Sequence, residues 1–177
     1  KKAEQRVEQW LREVRFREAD NPRAKASGTE PTYEAWLEEG KGFIGATEIA
    51  ILNRFLSQRD SRVDPAEIAY ALGWVGDKSS VPVLLEATDD KDVRLRIEAA
   101  ASLGQLGDPR AVSKLCKVAQ GDSDANVRGN AVSSLGRFAS QEARHCLQQA
   151  LNDESPFVRQ MAQQALRDSE GLLSTGE

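Results

Sequence analysis

The sequence is poor in the residues that hold metals and cross-links: among 177 residues it has one histidine and two cysteines. His145, standing alone, cannot form a histidine-rich metal site. Cys116 and Cys146 show no Cys-x-x-Cys spacing and no neighbouring His or Cys set, which excludes the usual zinc and redox motifs. They are expected to be free thiols at half-buried helix positions, which fits a reducing compartment and makes a cytoplasmic setting the expected one. Aromatic residues make up only 6% of the chain, so small Ala and Leu side chains must supply most of the packing. No apolar run approaches the roughly 18 residues of a membrane span, and no signal-peptide pattern is present, so no membrane is expected among the partners. The net charge of -4 provides no bulk attraction to nucleic acid. Because the chain begins Lys1-Lys2 without a methionine, it reads as an excerpt or a processed form.

What the chain does have is a repeat. Leu72, Leu103, Leu135 and Leu166 recur at intervals of 31, 32 and 31 residues, each inside a similar phrase. The copies run Ala71-Leu72-Gly73-Trp74, Ser102-Leu103-Gly104-Gln105, Ser134-Leu135-Gly136-Arg137 and the fading Ala165-Leu166-Arg167-Asp168. A fixed period of this size signals a stacked solenoid whose units bury their apolar faces against neighbours. Asp64-Pro65, with Glu67 after them, forms a helix-starting signal that Asp108-Pro109 and Ser155-Pro156 echo. The first helices are placed at 65–75, 93–106, 125–138 and 156–167, the second helices at 81–88, 109–119 and 141–151. Glycines after the leucines are expected to help close the first helices. No segment alternates with period two, so the chain reads as all-α.

The first third does not match the repeat. An amphipathic helix is expected over 2–19, a loop over 21–32, a short helix over 33–39 and another helix over 47–58. The chain therefore divides into an irregular helical N-terminal cap, 1–63, a repeat region, 64–168, and a polar tail, 169–177.

The repeat region resembles the short HEAT-like repeats, the class associated with phycobilin lyases and used for designed binding scaffolds. The resemblance rests on Leu95-Arg96 with Ala99-Ala100 and Leu103-Gly104, on Val127-Arg128 with Ala131-Val132 and Leu135-Gly136, and on Val158-Arg159 with Ala162 and Leu166. It implies a right-handed α-solenoid of stacked antiparallel helix pairs. At about 100° per residue from Val127, the core direction is shared by Ala131, Leu135 and Phe138, whereas Gly129, Asn130, Ser133 and Arg137 point the other way. In the family this stripe lines the concave surface. The matching positions are Tyr70 and Trp74, then Ile97, Glu98, Ala101 and Gln105, then Gln160, Met161 and Gln164. Tyr70, Trp74 and Met161 are residues that a solvated face does not require, so they stand as partner anchors or, for the two aromatics, as packing against the N-terminal cap.

Other constellations read as structural. Gly40-Lys41-Gly42-Phe43-Ile44-Gly45 fits a dinucleotide-binding pattern literally, but it follows a helical rather than a strand-like segment, so a helix stop is expected. Arg96, Arg128 and Arg159 recur beside acidic turns and are expected to tie adjacent repeats together rather than to grip phosphates. The His-Glu pairs of the iron-binding HEAT-like hydroxylases are absent, and no catalytic residue, metal or cofactor is assigned. The expected function is thus a non-catalytic scaffold that binds a protein or peptide on its concave face. A chromophore-lyase-like enzyme or chaperone, and a helical-repeat nucleic-acid binder, are the alternatives. Nucleic acid is the less expected partner, and the sequence leaves the oligomeric state open.

Overall fold

The computed structural model describes residues 1–19, 44–60 and 62–174, and among these every regular element is helical. In chain order the helices are α1 (Lys2–Ala19), α2 (Ala46–Gln58), α3 (Pro65–Val75), α4 (Val81–Ala87), α5 (Val93–Leu106), α6 (Val112–Gly121), α7 (Ala125–Leu135), α8 (Gln141–Ala150) and α9 (Pro156–Ser174). First helices α3, α5, α7 and α9 stack in one layer, and each packs on the second helix that precedes it once the pairs begin at α4. This is the expected α-solenoid. The loop and short helix expected over 21–39, and the glycine-rich run from Gly40 through Phe43, lie outside the described residues.

Short side chains set the helix starts. The Asp64 carboxylate accepts the Ala66 N–H at 2.9 Å, Asp92 accepts that of Arg94 at 2.9 Å, and Asp124 accepts that of Asn126 at 2.7 Å. Ser140 Oγ accepts the Ala143 N–H at 3.1 Å and opens α8 in the same way. Asp108-Pro109 opens a 3-10 turn, Pro109–Ala111, so α6 proper begins only at Val112. Helix α7 ends at Leu135, short of the expected 138, while α9 runs past 167 to Ser174.

Of the three glycines after the leucines, Gly136 closes its helix as expected, whereas Gly73 and Gly104 do a different job. Gly73 and Gly104 lie inside α3 and α5, and those helices close instead on Gly76 and Gly107, at φ 78° and 61°. At Gly73 an added Cβ would fall 2.5 Å from Ser102 Oγ, and at Gly104 it would fall 2.5 Å from the Ser134 side chain. Gly136 caps α7 and would meet the Ala165 Cβ at 2.8 Å. The missing side chains let successive first helices approach closely. Across the gap Ser102 Oγ donates to Ala69 O at 2.8 Å, and Ser134 Oγ donates to Ala100 O at 2.9 Å. Leu72, Leu103 and Leu135, all fully buried, fill the layer behind them, with Leu166 half-buried at its end.

The N-terminal helices extend the same core. Val7, Trp10 and Leu11 of α1 are buried against α2, which packs in turn on α3. Arg6 pairs with the buried Glu48 at 2.6 Å, and Glu48 also accepts the Gly45 N–H at 3.2 Å where α2 starts.

The cysteine expectation is corrected. Cys116 on α6 and Cys146 on α8 are not free thiols but a disulfide, with their Cα atoms 5.6 Å apart. They sit 30 residues apart in sequence, about one repeat, and so come to matching places on neighbouring second helices.

Candidate functional site

Side by side, the first helices present their outward stripes as neighbouring rows of one face. Gln105, Ser133, Arg137, Gln160 and Gln164 are exposed on it, and Tyr70, Trp74, Ile97, Glu98, Ala101, Asn130 and Met161 are half-buried. Tyr70 and Trp74, one turn apart on α3, pack edge to face with ring centroids 6.2 Å apart. Asn130 donates to Asn126 O at 2.9 Å, and Gln164 links Arg167 and Asp168 at 2.7 Å each.

Gly129 departs from the expected exposed stripe. It is buried, because the Phe157 ring lies over it so closely that a Cβ there would fall 2.3 Å from a ring carbon. Phe157 is itself 40% exposed, and Val93, at the start of α5, is 37% exposed. Neither was among the expected face residues. Val93, Ile97, Ala101 and Gln105 follow one another at four-residue spacing, so extending the stripe one turn toward the helix start would have found Val93. Phe157 lies one residue ahead of Val158-Arg159, in the same first turn.

Arg96 and Arg128 tie adjacent repeats as expected, whereas Arg159 bonds the turn before its own helix. The Arg96 guanidinium makes a two-pronged pair with Asp122 at 2.8 and 2.9 Å and donates to Asp90 O at 2.9 Å. Arg128 repeats this with Asp153, at 2.8 and 2.9 Å, and with Asp122 O at 2.9 Å. Arg159 donates to Asp153 O and Glu154 O at 2.7 and 2.9 Å. Hydrogen bonds from Arg128, with burial opposing them, hold the Asp153 carboxyl below its ordinary range, and the bond to Asp153 raises Arg128. At Asp122 burial works to raise the carboxyl, but the Arg96 bonds and a backbone N–H prevail and hold it low. Such forks tie turn to turn.

A cleft of about 460 Å³ opens near the first of these turns, between Thr88, Lys114 and Ser123. Two ion pairs lie in its wall, Lys114 with Asp89 at 2.5 Å and Arg96 with Asp122 at 2.8 Å.

Residues 50–128 and 112–172 match the HEAT repeats family. The chain belongs to the HEAT-repeat family. The HEAT-like reading of the sequence therefore holds. Bovine deoxyhypusine hydroxylase is 30% identical over 159 residues, which cover 74% of this chain and 52% of that protein. Among solved structures, human deoxyhypusine hydroxylase in complex with glycerol superimposes with a TM-score of 0.65 at 20% identity, covering 85% of this chain and 64% of that one. The complex of CpcE and CpcF of phycocyanin lyase, from Nostoc sp. PCC7120, gives a TM-score of 0.62 at 21% identity, covering 86% of this chain and 67% of that one. The chain spans from about a third to about half the length of the curated relatives it matches.

These relatives correct the functional expectation. A non-catalytic scaffold was expected, yet the curated relatives are enzymes. The iron chemistry of HEAT-like hydroxylases does not fit the residues present, however. His145 is the one histidine of the chain and lies exposed on α8, and among the described residues no three His, Cys, Asp or Glu side chains form a group that could hold a metal.

Proposed function

We propose that this chain is a HEAT-repeat enzyme, or the repeat subunit of one, that modifies another protein and holds that protein on the first-helix face. The observation that carries the reading is the 159-residue match to an enzyme, bovine deoxyhypusine hydroxylase, at 30% identity. Of the two enzyme types that share the fold, the lyase type agrees better with these residues, because iron-dependent hydroxylation needs a ligand set that is absent among the described residues.

The proposed contact residues are Tyr70, Trp74, Ile97, Glu98, Ala101, Gln105, Asn130, Ser133, Arg137, Gln160, Met161 and Gln164, joined now by Phe157. A preformed face of half-buried apolar groups ringed by amides and Arg137 suits a polypeptide, which supplies both apolar side chains and backbone acceptors. Nucleic acid suits it less, since Arg96 and Arg128 are committed to internal carboxylates and Arg159 to backbone carbonyls. No helix among the described residues is long and apolar enough to cross a membrane. A cytoplasmic location belongs to this proposal, and there the Cys116–Cys146 pair meets a reducing poise.

The test is complementation. Intact-mass spectra of proteins from cells deprived of the chain are compared with normal ones, and the purified chain is then added back to the extract. At least one protein should lose a covalent mass increment and regain it on addition. Chain carrying Trp74→Ala with Arg137→Ala should restore it at least about tenfold more slowly, in keeping with the weight of Trp and Arg at interfaces. An unchanged set of masses, or equal restoration by the variant at equal helicity, would overturn the proposal. A bilin difference spectrum separates a lyase from other modifying enzymes.

A further inference from the structure

We propose that the Cys116–Cys146 bond is a reversible redox switch that sets how far the second-helix layer can spread behind the first-helix face. The two layers are joined very differently. The first helices meet through Gly73, Gly104 and Gly136 at distances that leave no room for a side chain, and through serine hydroxyls that donate to the backbone of the preceding first helix. In the second layer α8 packs directly on α6, whereas α4 meets the 3-10 turn that precedes α6. At the one α6–α8 junction the chain places its two cysteines and bonds them. The tight first layer acts as the hinge, and the disulfide holds the opposite edge.

The bond is sheltered but reachable. Cys116 and Cys146 are 6% and 5% exposed. Above Cys146 lies Gln120, whose amide nitrogen is 3.9 Å from the sulfur and 2.7 Å from Gln149 Oε1, and both glutamines are themselves solvent-exposed. Displacing that amide pair opens the sulfur to a dithiol reductant. One thiolate of the reductant attacks the Cys146 sulfur, the S–S bond breaks, and Cys116 leaves as a thiolate that takes up a proton. The second thiolate of the reductant then attacks its own partner sulfur and releases Cys146, which is protonated in turn. The protein gains two electrons and two protons, and the dithiol becomes a disulfide.

With the staple gone, α6 and α8 can separate while α5, α7 and α9 stay in contact. Rotation about the first layer then brings the outward stripes of α5 and α9 closer together. This inference does not rest on the proposed enzymatic role, since it concerns only the shape of the face.

The experiment uses the full chain, with spin labels on unnatural amino acids at Gln105 and Gln164, in dithiol and in oxidising buffer. Reduction should shorten and broaden the distance between the labels and speed amide exchange in α6 and α8 by about tenfold. The Cys116→Ser, Cys146→Ser double variant should match the reduced protein in both buffers. An unchanged distance on reduction overturns the switch, whatever exchange does. So does alkylation of both cysteines in the oxidised protein without reductant. If circular dichroism shows the double variant misfolded, the comparison of buffers on the labelled chain with both cysteines present decides alone.

Discussion

Gly104 and Leu103 are neighbours in sequence with opposite tolerances. A helical glycine replaced by alanine ordinarily gains up to about 1 kcal/mol. At Gly104 the new methyl would stand 2.5 Å from Ser134, which is anchored by its own bond to Ala100 O. Gly104→Ala should therefore destabilise by roughly 1–3 kcal/mol, the usual range for overpacking. Urea unfolding should show a lower midpoint with an unchanged slope, and a higher midpoint would mean that the two helices can part. Leu103→Ala leaves a cavity instead and should cost about 2–5 kcal/mol; a melting curve like that of the unsubstituted chain would remove Leu103 from the core. Gly129 differs from both. The group above it is the half-exposed Phe157 ring, which can swing away, so alanine there should disturb the face more than the fold.

Among the elements, the acidic turns carry the most charge and the clearest pH signature. Arg128 and Asp153 are nearly buried, their side chains 7% and 11% exposed, and Arg128→Ala should cost about 3 kcal/mol. Arg94→Ala should cost under about 0.5 kcal/mol, since the Arg94 side chain is 68% exposed where it pairs with Asp64. Arg128 bonding holds Asp153 below 3.8, the ordinary value to which it returns in the unfolded chain. The unfolded chain thus takes up a proton first as the pH falls. The contribution of the pair is complete well above 3.8 and fades as the pH drops through the lower folded value. Denaturation at pH 7 and pH 3 should show the gap between the chain and Asp153→Asn narrowing in acid, and a gap independent of pH would refute the linkage. These turns were legible in the sequence because an aspartate before a helix and an arginine four residues into it are local signals. The roles of Gly73 and Gly104 were not, since a helix-interior glycine and a helix-ending one differ only in what a neighbouring helix places above them. The disulfide was hidden for the same reason: 30 residues of sequence say nothing of a 5.6 Å approach. The face was legible in outline from the helical period, except where Phe157 folds over Gly129.

At the scale of the whole molecule, the solenoid could be read from the period of the leucines, and a lyase-like enzyme stood among the alternatives. The kinship with hydroxylases could not be read, because the metal-binding pairs that would announce one are missing from the sequence. Protein exposed to excess Fe(II) and desalted should accordingly retain well under one iron per chain by elemental analysis. Stoichiometric retention would restore the hydroxylase reading. The Cys116–Cys146 staple also divides the chain mechanically. Pulled from its two ends, a repeat array gives way unit by unit, but tension passes through the S–S bond and never reaches the residues between the two sulfurs. With a separation of 30 residues, the oxidised chain should stop short of the reduced one by roughly 100 Å at full extension. One stretch of the molecule, including half of α6, all of α7 and the start of α8, is thereby shielded from force for as long as its cysteines stay joined.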